Sequence, residues 1–445
     1  MFYVLLGALV IRLINLNQSL WLDEAILAQA ITSLNLHQLF SQYLPTDFNP
    51  PLIYLIELGW TKMFGVSEIS LRMPSVIFGI LTIWFTYKIS TKLIAKKYSI
   101  IPPILLATSG LHTYYSQEAR MYSLTTLAVA ISMLAILNNL KKQTHRISYF
   151  FSTLTAVYTH YLAWFILPAQ FFYLIKNKST QIKKFIFLNL LITLSYLPWL
   201  PTFLQQLKNG STVSQTTWGK VIGGPDIKNL LLIPIKFLIG RVSLDNKIVY
   251  FSLLLLPLFL TSYLFYQARK FKFLIFWFFT PLFLIFLVSF KFPVLSYFRL
   301  LFLLPAFYLI ITQGILKLKS KFHYPLIIFI LSINLVSLSA YLFMSRFHRE
   351  DWKTLSQTLI SKSINQPIVI INAVSSPLKY YYAGNLQDYA SIDTNSLGNE
   401  FWLIPYAQVI FNPDFSWENQ IKSNGFTKSY EQHFIGDLTL LKYTR

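Results

Sequence analysis

The pattern that decides the fold is clearest at residues 269–290, RKFKFLIFWFFTPLFLIFLVSF, where the basic stretch Arg269 to Lys272 precedes an uncharged, mainly apolar run. A run of this kind can cross most of the roughly 30 Å hydrocarbon core of a bilayer as a helix. Similar runs recur from one end of the chain to the other. With 54% hydrophobic and 12% charged residues and a mean hydropathy of +0.50, the 445-residue chain is predicted to be an integral membrane protein.

Short basic loops separate the apolar runs and set the orientation. They lie at Lys96-Lys97, Lys141 to Arg146, Lys176 to Lys184, Arg269 to Lys272 and Lys317 to Lys321, and none contains Asp or Glu. The positive-inside rule assigns all five loops to the cytoplasm. Although the formal net charge is +21, its scatter over loops differs from the single basic face of a nucleic-acid-binding protein. We therefore expect a lipid bilayer and no nucleic acid as partner.

From this orientation we predict an α-helical multispanning protein with about eleven transmembrane helices. Residues 1–344 form the membrane domain, with a first external loop at 17–73. Pro51 to Gly65 is too short to span and is expected along the outer interface. No small-x-small cleavage site follows Leu16, which favours a retained first span over a signal peptide.

Residues 345–445 are predicted to form a small extracytoplasmic α/β domain. Helices are expected at 351–363, 376–383 and 417–424, strands at 367–372 and 401–404, and a hairpin at 434–442. The loop from Gln205 to Lys228 contains several glycines and is expected to be irregular. The chain has no Cys, which excludes disulfides and thiolate metal sites.

Asp23 and Glu24 are adjacent in the stretch Asn17 to Ala25, NQSLWLDEA, just after the first apolar run. Neighbouring carboxylates at a membrane surface repel each other and lose hydration, in a chain with only 17 acidic residues. They are either a hydrated helix start, favoured there by the helix dipole, or a general base held at the membrane surface.

Glu118 and Arg120 form a second charged group, in the stretch YYSQEARMY from Tyr114 to Tyr122. They are either a structural ion pair at a helix corner or a functional pair. In the functional interpretation Arg120 binds a phosphate through two hydrogen bonds, and Glu118 orients Arg120 or an acceptor hydroxyl. Both charged groups are predicted on the external face of the membrane, which favours function.

Six motifs resemble, in order, those of bacterial members of the dolichyl-phosphate-mannose-protein mannosyltransferase superfamily, C-type glycosyltransferases of the glycosyltransferase family 39 kind. They are SLWLDEA (19–25), NPPLIY (49–54), SLRMPS (70–75), YSQEARMYSL (115–124), YTHY (158–161) and EDWK (350–353). The resemblance implies an enzyme that transfers a sugar from a polyprenyl-phosphate carrier to an acceptor outside the cytoplasm. It also implies that Asp23 is the base, with Glu24 second.

Relatives often carry His or Lys where this chain has Asn49 before the Pro-Pro pair. The phosphate contact would then come from Arg120 or Arg299, although Arg299 is equally interpretable as an interfacial anchor beside aromatic residues. The chemistry needs a base for the hydroxyl, positive charge for the departing phosphate, and no nucleotide or redox cofactor. Arg72 is a further candidate for the phosphate side.

His160 is either a contact to the sugar or an acid, or, as is more common, a hydrogen-bonded corner residue. Tyr54 is either a sugar-stacking side chain or an interface anchor. No second His lies near His160 in the sequence, which argues against a zinc site, although carboxylates are able to hold a divalent cation.

A transporter or flippase of lipid-linked sugars is the competing class. Transporters place ionisable residues near the membrane midplane, often in repeated halves. Here the acids are predicted at one surface, and no repeat is visible. A purely structural envelope protein would not need Asp23 and Glu118. We therefore expect a glycosyltransferase of the plasma membrane, with its active site on the extracytoplasmic side. The sugar, hexose or pentose, and the acceptor, glycan, lipid or protein, are left open.

Overall fold

The computed structural model describes residues 1–213, 224–363, 366–391 and 397–445, which form two compact units. The first unit comprises 1–16, 36–65 and 70–343, and the second comprises 17–35, 66–69 and 344–445. Part of the predicted first external loop, Asn17–Asn35, thus folds in one unit with the C-terminal residues.

The chain is mainly helical from its start to residue 343. Among its described residues, the α-helices of six or more residues there are α1 (Phe2–Leu13), α2 (Leu22–Ser33), α3 (Leu52–Phe64), α4 (Glu68–Leu93), α5 (Ile101–Ala107), α6 (Gly110–Ser116), α7 (Tyr122–Leu137), α8 (Gln143–Thr159), α9 (Ile166–Lys176), α10 (Ile182–Tyr196), α11 (Leu200–Val213), α12 (Ile227–Ile239), α13 (Lys247–Gln267), α14 (Lys272–Val288), α15 (Leu304–Leu316) and α16 (His323–Phe343).

Among the described residues, four helical segments are long and apolar enough to cross a membrane: Glu68–Leu93, Ile182–Thr212, Lys247–Gln267 and Ser320–Phe343. Shorter apolar helices accompany them, including α1, α7 and α14. The chain is thus a multi-pass membrane protein, and the number of about eleven spans stays a prediction. Helix α3 has 13 residues and reaches about 20 Å, too short to cross.

The mainly apolar run at residues 99–112 does not form one continuous helix. Helix α5 ends at Ala107 and α6 begins at Gly110, where the Oγ of Ser109 accepts a hydrogen bond from the His112 amide at 3.3 Å. Arg12 of α1 packs at this break. It donates to the Ala107 carbonyl at 3.3 Å, and its Nη2 lies 2.7 Å from Nδ1 of His112. Both side chains are completely buried.

The prediction of an irregular loop at 205–228 was wrong in its first part. Helix α11 continues through Gln205 and Gln206 to Val213, because good helix formers extend the preceding turn and a single glycine, Gly210, costs only about 1 kcal/mol. Gly219 and Gly223 lie outside the described residues. Helix α12, which follows, was not predicted, and Asp226 caps it by accepting from the Asn229 amide.

In the second unit, five strands of the described residues form one sheet of order β2-β1-β3-β5-β4. They are β1 (Ile368–Ile370), β2 (Leu386–Asp388), β3 (Glu400–Ile404), β4 (Thr427–Phe434) and β5 (Leu438–Thr444); α17 (Trp352–Lys362) precedes β1, and α18 (Ser376–Tyr381) and α19 (Ser416–Ser423) lie between strands. Strand β1 is parallel to β2 and β3, and β5 is antiparallel to β3 and β4. The predicted small α/β domain is confirmed in this form.

The core of this domain lies between the sheet and α17. Trp352 and Leu355 of α17 pack with Ile368, Trp402 and Leu440, and each is at most 2% exposed. Burial of several large side chains stabilises the sheet, since each contributes roughly 1.5–3 kcal/mol. The same helix begins at the residue that follows Asp351, whose carboxylate accepts from the Thr354 amide at 3.1 Å.

Candidate active site

Asp23 and Glu24 lie in the first turn of α2, the position that the helix-start interpretation of the pair implied. Acidic groups there are stabilised by the helix dipole. Successive residues of a helix point about 100° apart, so the two carboxylates face different surroundings. Glu24 is completely buried in the second unit, whereas Asp23 is partly exposed. Asp23 is therefore the carboxylate of the pair that solvent reaches.

Asp47, which the sequence analysis did not identify, holds two of the predicted substrate-binding residues in the first unit. The Tyr54 hydroxyl donates to Asp47 Oδ2 at 2.7 Å, and the Asn49 amide nitrogen donates to the same oxygen at 3.2 Å. Burial, and after it the charge of Asp47, raises the pKa of Tyr54, while the charge of Arg120 lowers it. Tyr54 thus lies within electrostatic range of Arg120.

Glu118 and Arg120 lie in the turn between α6 and α7. The Arg120 amide donates to the Glu118 carbonyl at 2.8 Å, and the Ser75 hydroxyl of α4 donates to the Arg120 carbonyl at 3.3 Å. Only 1% of Glu118 and 7% of Arg120 is exposed. The backbone bonds therefore fix a turn that keeps an acid and a guanidinium inside the first unit.

Arg241 joins this group, and sequence reasoning missed it. Its guanidinium carbon lies 4.4 Å from the centroid of the Tyr114 ring, and it donates to the Tyr114 hydroxyl. It is near enough to Glu118 for the two charges to interact. The preceding Gly240 has φ +61°, and a Cβ there would lie 3.0 Å from the Leu111 amide nitrogen. The sequence signal that could have identified Arg241 is the Gly240-Arg241 pair. That pair directly follows helix α12, which was not predicted.

His160 lies in the turn after α8, near Arg120 and Arg299. Its Nδ1 accepts a hydrogen bond from the Leu162 amide at 3.1 Å. Burial, together with the positive charges of Arg299 and Arg120, lowers the pKa of His160 to about 3. The imidazole is therefore neutral at ordinary pH. Arg120, His160 and Arg299, distant in sequence, form one neighbourhood in the first unit.

A cavity of about 600 Å³ borders this neighbourhood. Its walls are mainly aromatic and aliphatic, with Tyr161, Trp164, Phe203 and Phe292 among the side chains that line it. Arg299 is the one charged side chain among the described residues that form the wall. The Arg299 Nη1 also donates to the Pro293 carbonyl at 3.0 Å, which holds the guanidinium at the cavity.

Arg72 has a local contact with the end of the first apolar segment. It is 1% exposed, and its Nη1 donates to the Leu16 carbonyl at 2.8 Å. Within the described ranges, no group of three or more His, Cys, Asp and Glu side chains is arranged to hold a metal ion.

Residues 49–201 match the model of the dolichyl-phosphate-mannose-protein mannosyltransferase family. No curated protein sequence matches the chain. In three dimensions, 99% of the chain aligns with 97% of ArnT from Cupriavidus metallidurans at 11% identity, with a TM-score of 0.60 for the structure bound to undecaprenyl phosphate and 0.57 for the apo state.

A second similar structure is the oligosaccharyltransferase AglB from Archaeoglobus fulgidus, solved with an inhibitory peptide and a dolichol-phosphate. Here 95% of the chain aligns with 68% of AglB at 11% identity and a TM-score of 0.53. At such identities the alignments show a shared fold. The chain is thus similar to the dolichyl-phosphate-mannose-protein mannosyltransferase family in sequence over residues 49–201, and it shares the fold of ArnT over nearly its whole length.

Proposed function

We propose that the protein is a membrane glycosyltransferase that moves a sugar from a polyprenyl-phosphate carrier to an acceptor on the extracytoplasmic side of the plasma membrane. The observation that carries the proposal is the apolar cavity with Arg299 in its wall. A polyprenyl phosphate is a long apolar chain that ends in an anion. An apolar cavity with a single guanidinium has the matching distribution of polarity.

The arginines near the cavity fit the leaving group of such a reaction. The positive charges of Arg120 and Arg299 both lower the pKa of His160, and the charge of Arg241 interacts with that of Glu118. A guanidinium offers a planar set of donors that binds phosphate oxygens in pairs. Positive charge fixed before the reaction stabilises the negative charge that develops on the departing phosphate.

Asp23 is the proposed base, since it is the partly exposed member of the acid pair and matches the base position of the superfamily. Its carboxylate takes the proton of the acceptor hydroxyl as the acceptor oxygen forms a bond to the anomeric carbon of the sugar. The bond from that carbon to the phosphate oxygen breaks, and the polyprenyl phosphate leaves with the electron pair. No redox step is involved, because the sugar is already activated.

The likeness to ArnT bound to undecaprenyl phosphate and to AglB bound to dolichol-phosphate supports a polyprenyl phosphate as carrier. The proposal includes about eleven spans, with residues 17–73 and 345–445 outside the cytoplasm. Asn49, Tyr54 and Arg72 are its secondary substrate-binding candidates. The sugar, hexose or pentose, and the acceptor class are for experiment to identify.

The test uses purified protein, a set of radiolabelled polyprenyl-phosphate hexoses and pentoses, and a membrane extract as acceptor source. The transferase is expected to release free polyprenyl phosphate and to label an acceptor. A flippase would move the intact donor between leaflets and release none. Asp23→Asn should reduce turnover by about 10²- to 10⁴-fold while donor binding persists.

Glu24→Gln is the matched control, since it neutralises the adjacent, buried carboxylate and should cost less than Asp23→Asn. If Glu24→Gln abolished transfer and Asp23→Asn kept it, the two roles would be exchanged. If both variants kept full activity, the acid pair would serve only as a helix start, and the proposed base would be lost.

A further inference from the structure

The buried acid of the Asp23-Glu24 pair has a charged partner within the second unit. Arg349 Nη1 lies 3.7 Å from Glu24 Oε2, and the two side chains are 2% and 0% exposed. An ion pair this deeply buried contributes little net stability, because both charges lose their hydration. Removing one partner, however, leaves the other charge buried, which is strongly destabilising. Glu24 is therefore fixed in place by Arg349.

The residues around Arg349 also hold the chain just before α2. The Arg349 amide donates to Gln18 Oε1 at 3.0 Å. The hydroxyl of Ser19 donates to Asp351 Oδ1 at 3.3 Å and accepts from the Lys353 amide at 3.1 Å. Gln18 and Ser19 are thus bound by the segment 349–353, a few residues before Asp23.

Helix α18 adds contacts of the same kind. The Leu20 amide donates to the Tyr381 hydroxyl at 2.9 Å, and the Gln29 amide nitrogen donates to the Ser376 carbonyl at 2.9 Å. The Tyr381 hydroxyl also donates to Glu68 Oε1 at 3.0 Å. Leu20, just before α2, and Gln29, about two turns into it, are therefore both hydrogen-bonded to α18 of the C-terminal domain.

The segment 349–353 is itself anchored in the domain core. The Asp351 amide donates to the Ile435 carbonyl at 3.0 Å, and the Tyr406 hydroxyl donates to Glu350 Oε1 at 3.1 Å. Trp352 is completely buried in the core of the sheet. At Gly436, whose φ is +81°, a Cβ would come within 2.5 Å of the Glu350 Cα, so the hairpin and this segment pack without a gap.

We propose that Arg349 is a positioning residue for Asp23, acting through Glu24 and the start of α2, so that the C-terminal domain sets the geometry of the base. This inference rests on the proposed function, in which Asp23 takes the proton. The segment 349–353 is hydrogen-bonded to Gln18 and Ser19 on one side and to the C-terminal domain on the other. It therefore transmits the rigidity of the sheet to the first turn of α2, which carries Asp23. A displacement of about 1 Å at a reacting group can cost as much as 10²-fold in rate.

The test compares Arg349→Met with Arg346→Met in the full-length protein. Arg346 is exposed, so its substitution is a matched control for the loss of an arginine three residues away. Arg349→Met should lower kcat about 10- to 100-fold and leave the KM for the donor within about threefold. The donor is the radiolabelled polyprenyl-phosphate sugar that the wild-type protein consumes.

Two further readouts separate positioning from loss of folding. Amide hydrogen exchange in α2 should become faster in Arg349→Met, while exchange in α17 stays unchanged. The double variant Glu24→Gln/Arg349→Met, which buries no lone charge, should be no worse than the poorer single variant. Retention of kcat and of α2 exchange at the values of Arg346→Met would overturn the inference.

The inference and the proposed function fail in different ways. If Asp23→Asn is inactive and Arg349→Met is fully active with unchanged α2 exchange, only the positioning role is lost. If Asp23→Asn is fully active, the base assignment fails and the positioning of a base fails with it, even where α2 exchange increases. If Asp23→Asn is inactive, and Arg349→Met shows both faster α2 exchange and a reduced kcat, the proposed function and the positioning role are both supported.

Discussion

The guanidinium of Arg241 lies over the ring of Tyr114, with 4.4 Å from the guanidinium carbon to the ring centroid. Tyr114 is 5% exposed, whereas Arg241 is exposed. The aromatic face attracts the cation and leaves the edge of the guanidinium accessible. An arginine held in this way keeps a fixed direction, which suits a site for an anionic ligand.

Arg241→Gln should weaken use of the donor if this cation contacts its phosphate. A charge-assisted hydrogen bond contributes about 1.5–3 kcal/mol, so kcat/KM for the donor should fall roughly 10- to 150-fold. Arg269→Gln is the matched control, since Arg269 also lies over a tyrosine ring, at 3.8 Å from Tyr266, in a predicted cytoplasmic loop. Equal kinetics for the two variants would remove Arg241 from the phosphate site.

Arg120→Lys keeps the charge near Glu118 but replaces the planar guanidinium by an ammonium group. Because paired hydrogen bonds to a phosphate need the guanidinium geometry, donor use should weaken although the formal charge is unchanged. The measurement is kcat/KM for the donor, with Arg146→Lys in a predicted cytoplasmic loop as control. A variant as active as the wild type would limit Arg120 to a general electrostatic role.

His160→Gln should flatten the dependence of stability on pH. The pKa of His160 is about 3 in the folded protein, below the value of 6.5 for a free side chain, because of burial and the nearby arginines. Its stabilising contribution is present above pH 6.5 and is lost as the pH falls from 6.5 towards 3, since the unfolded chain binds the proton. At pH 5.5 this lowers the free energy of unfolding by about 1.4 kcal/mol.

The measurement is unfolding of the wild type and of His160→Gln in detergent between pH 7.5 and 5.5. His37→Gln, at an exposed position of the same unit, serves as control and should follow the wild type. If His160→Gln lost stability on acidification as steeply as the wild type, another group would be responsible for the acid sensitivity.

Single-cysteine variants test the topology. The native chain has no Cys, so it gives no background labelling by the maleimide. Cysteines at Lys142, Lys178 and Lys319 should resist an impermeant maleimide in intact cells, whereas those at Ser211 and Asn385 should react. Lys142, Lys178, Lys319 and Asn385 are exposed in the structure and Ser211 is partly exposed, so protection would report the membrane and not burial. Labelling at Lys142 from outside would reverse the predicted orientation.

Removing the chain after Ser345 should leave a protein that inserts and binds the lipid carrier but transfers poorly. The cut removes Arg349 and Tyr381, which bind Glu24 and the Leu20 amide. Turnover should fall by at least about 100-fold, because the start of α2 loses its support. Full-length protein in the same detergent is the reference, and equal turnover would make the C-terminal domain dispensable.

The elements that sequence patterns predicted well are those with a local signal. Helix α17 starts where Asp351 caps it, and β1 and β3 coincide with short runs of buried apolar residues. Strand β2 has only three residues, none fully buried, and gave no alternating pattern. Helix α12 has 13 residues and follows a glycine-rich stretch, so it resembled neither a span nor a loop.

The candidate site, too, could be predicted only where its residues give a local signal in the sequence. Adjacent acids and an acid near an arginine could be recognised in the sequence, because such groups are rare in an apolar chain. The pairing of Glu24 with Arg349 could not be predicted, since periodicity and spacing carry no information about a partner in a remote part of the chain. Arg241 was missed for a related reason, as its importance comes from the Tyr114 ring beneath it.

The buried Arg12 has a consequence for how the protein is made. Its partners Ala107 and His112 are separated from it by 95 and 100 positions along the chain, so they do not exist when α1 first leaves the ribosome. An arginine in the hydrocarbon core costs at least about 2.5 kcal/mol. Helix α1 therefore gains its full stability in the bilayer only after α5 and α6 have been synthesised, and until then the insertion machinery or an interfacial position must shelter its charge.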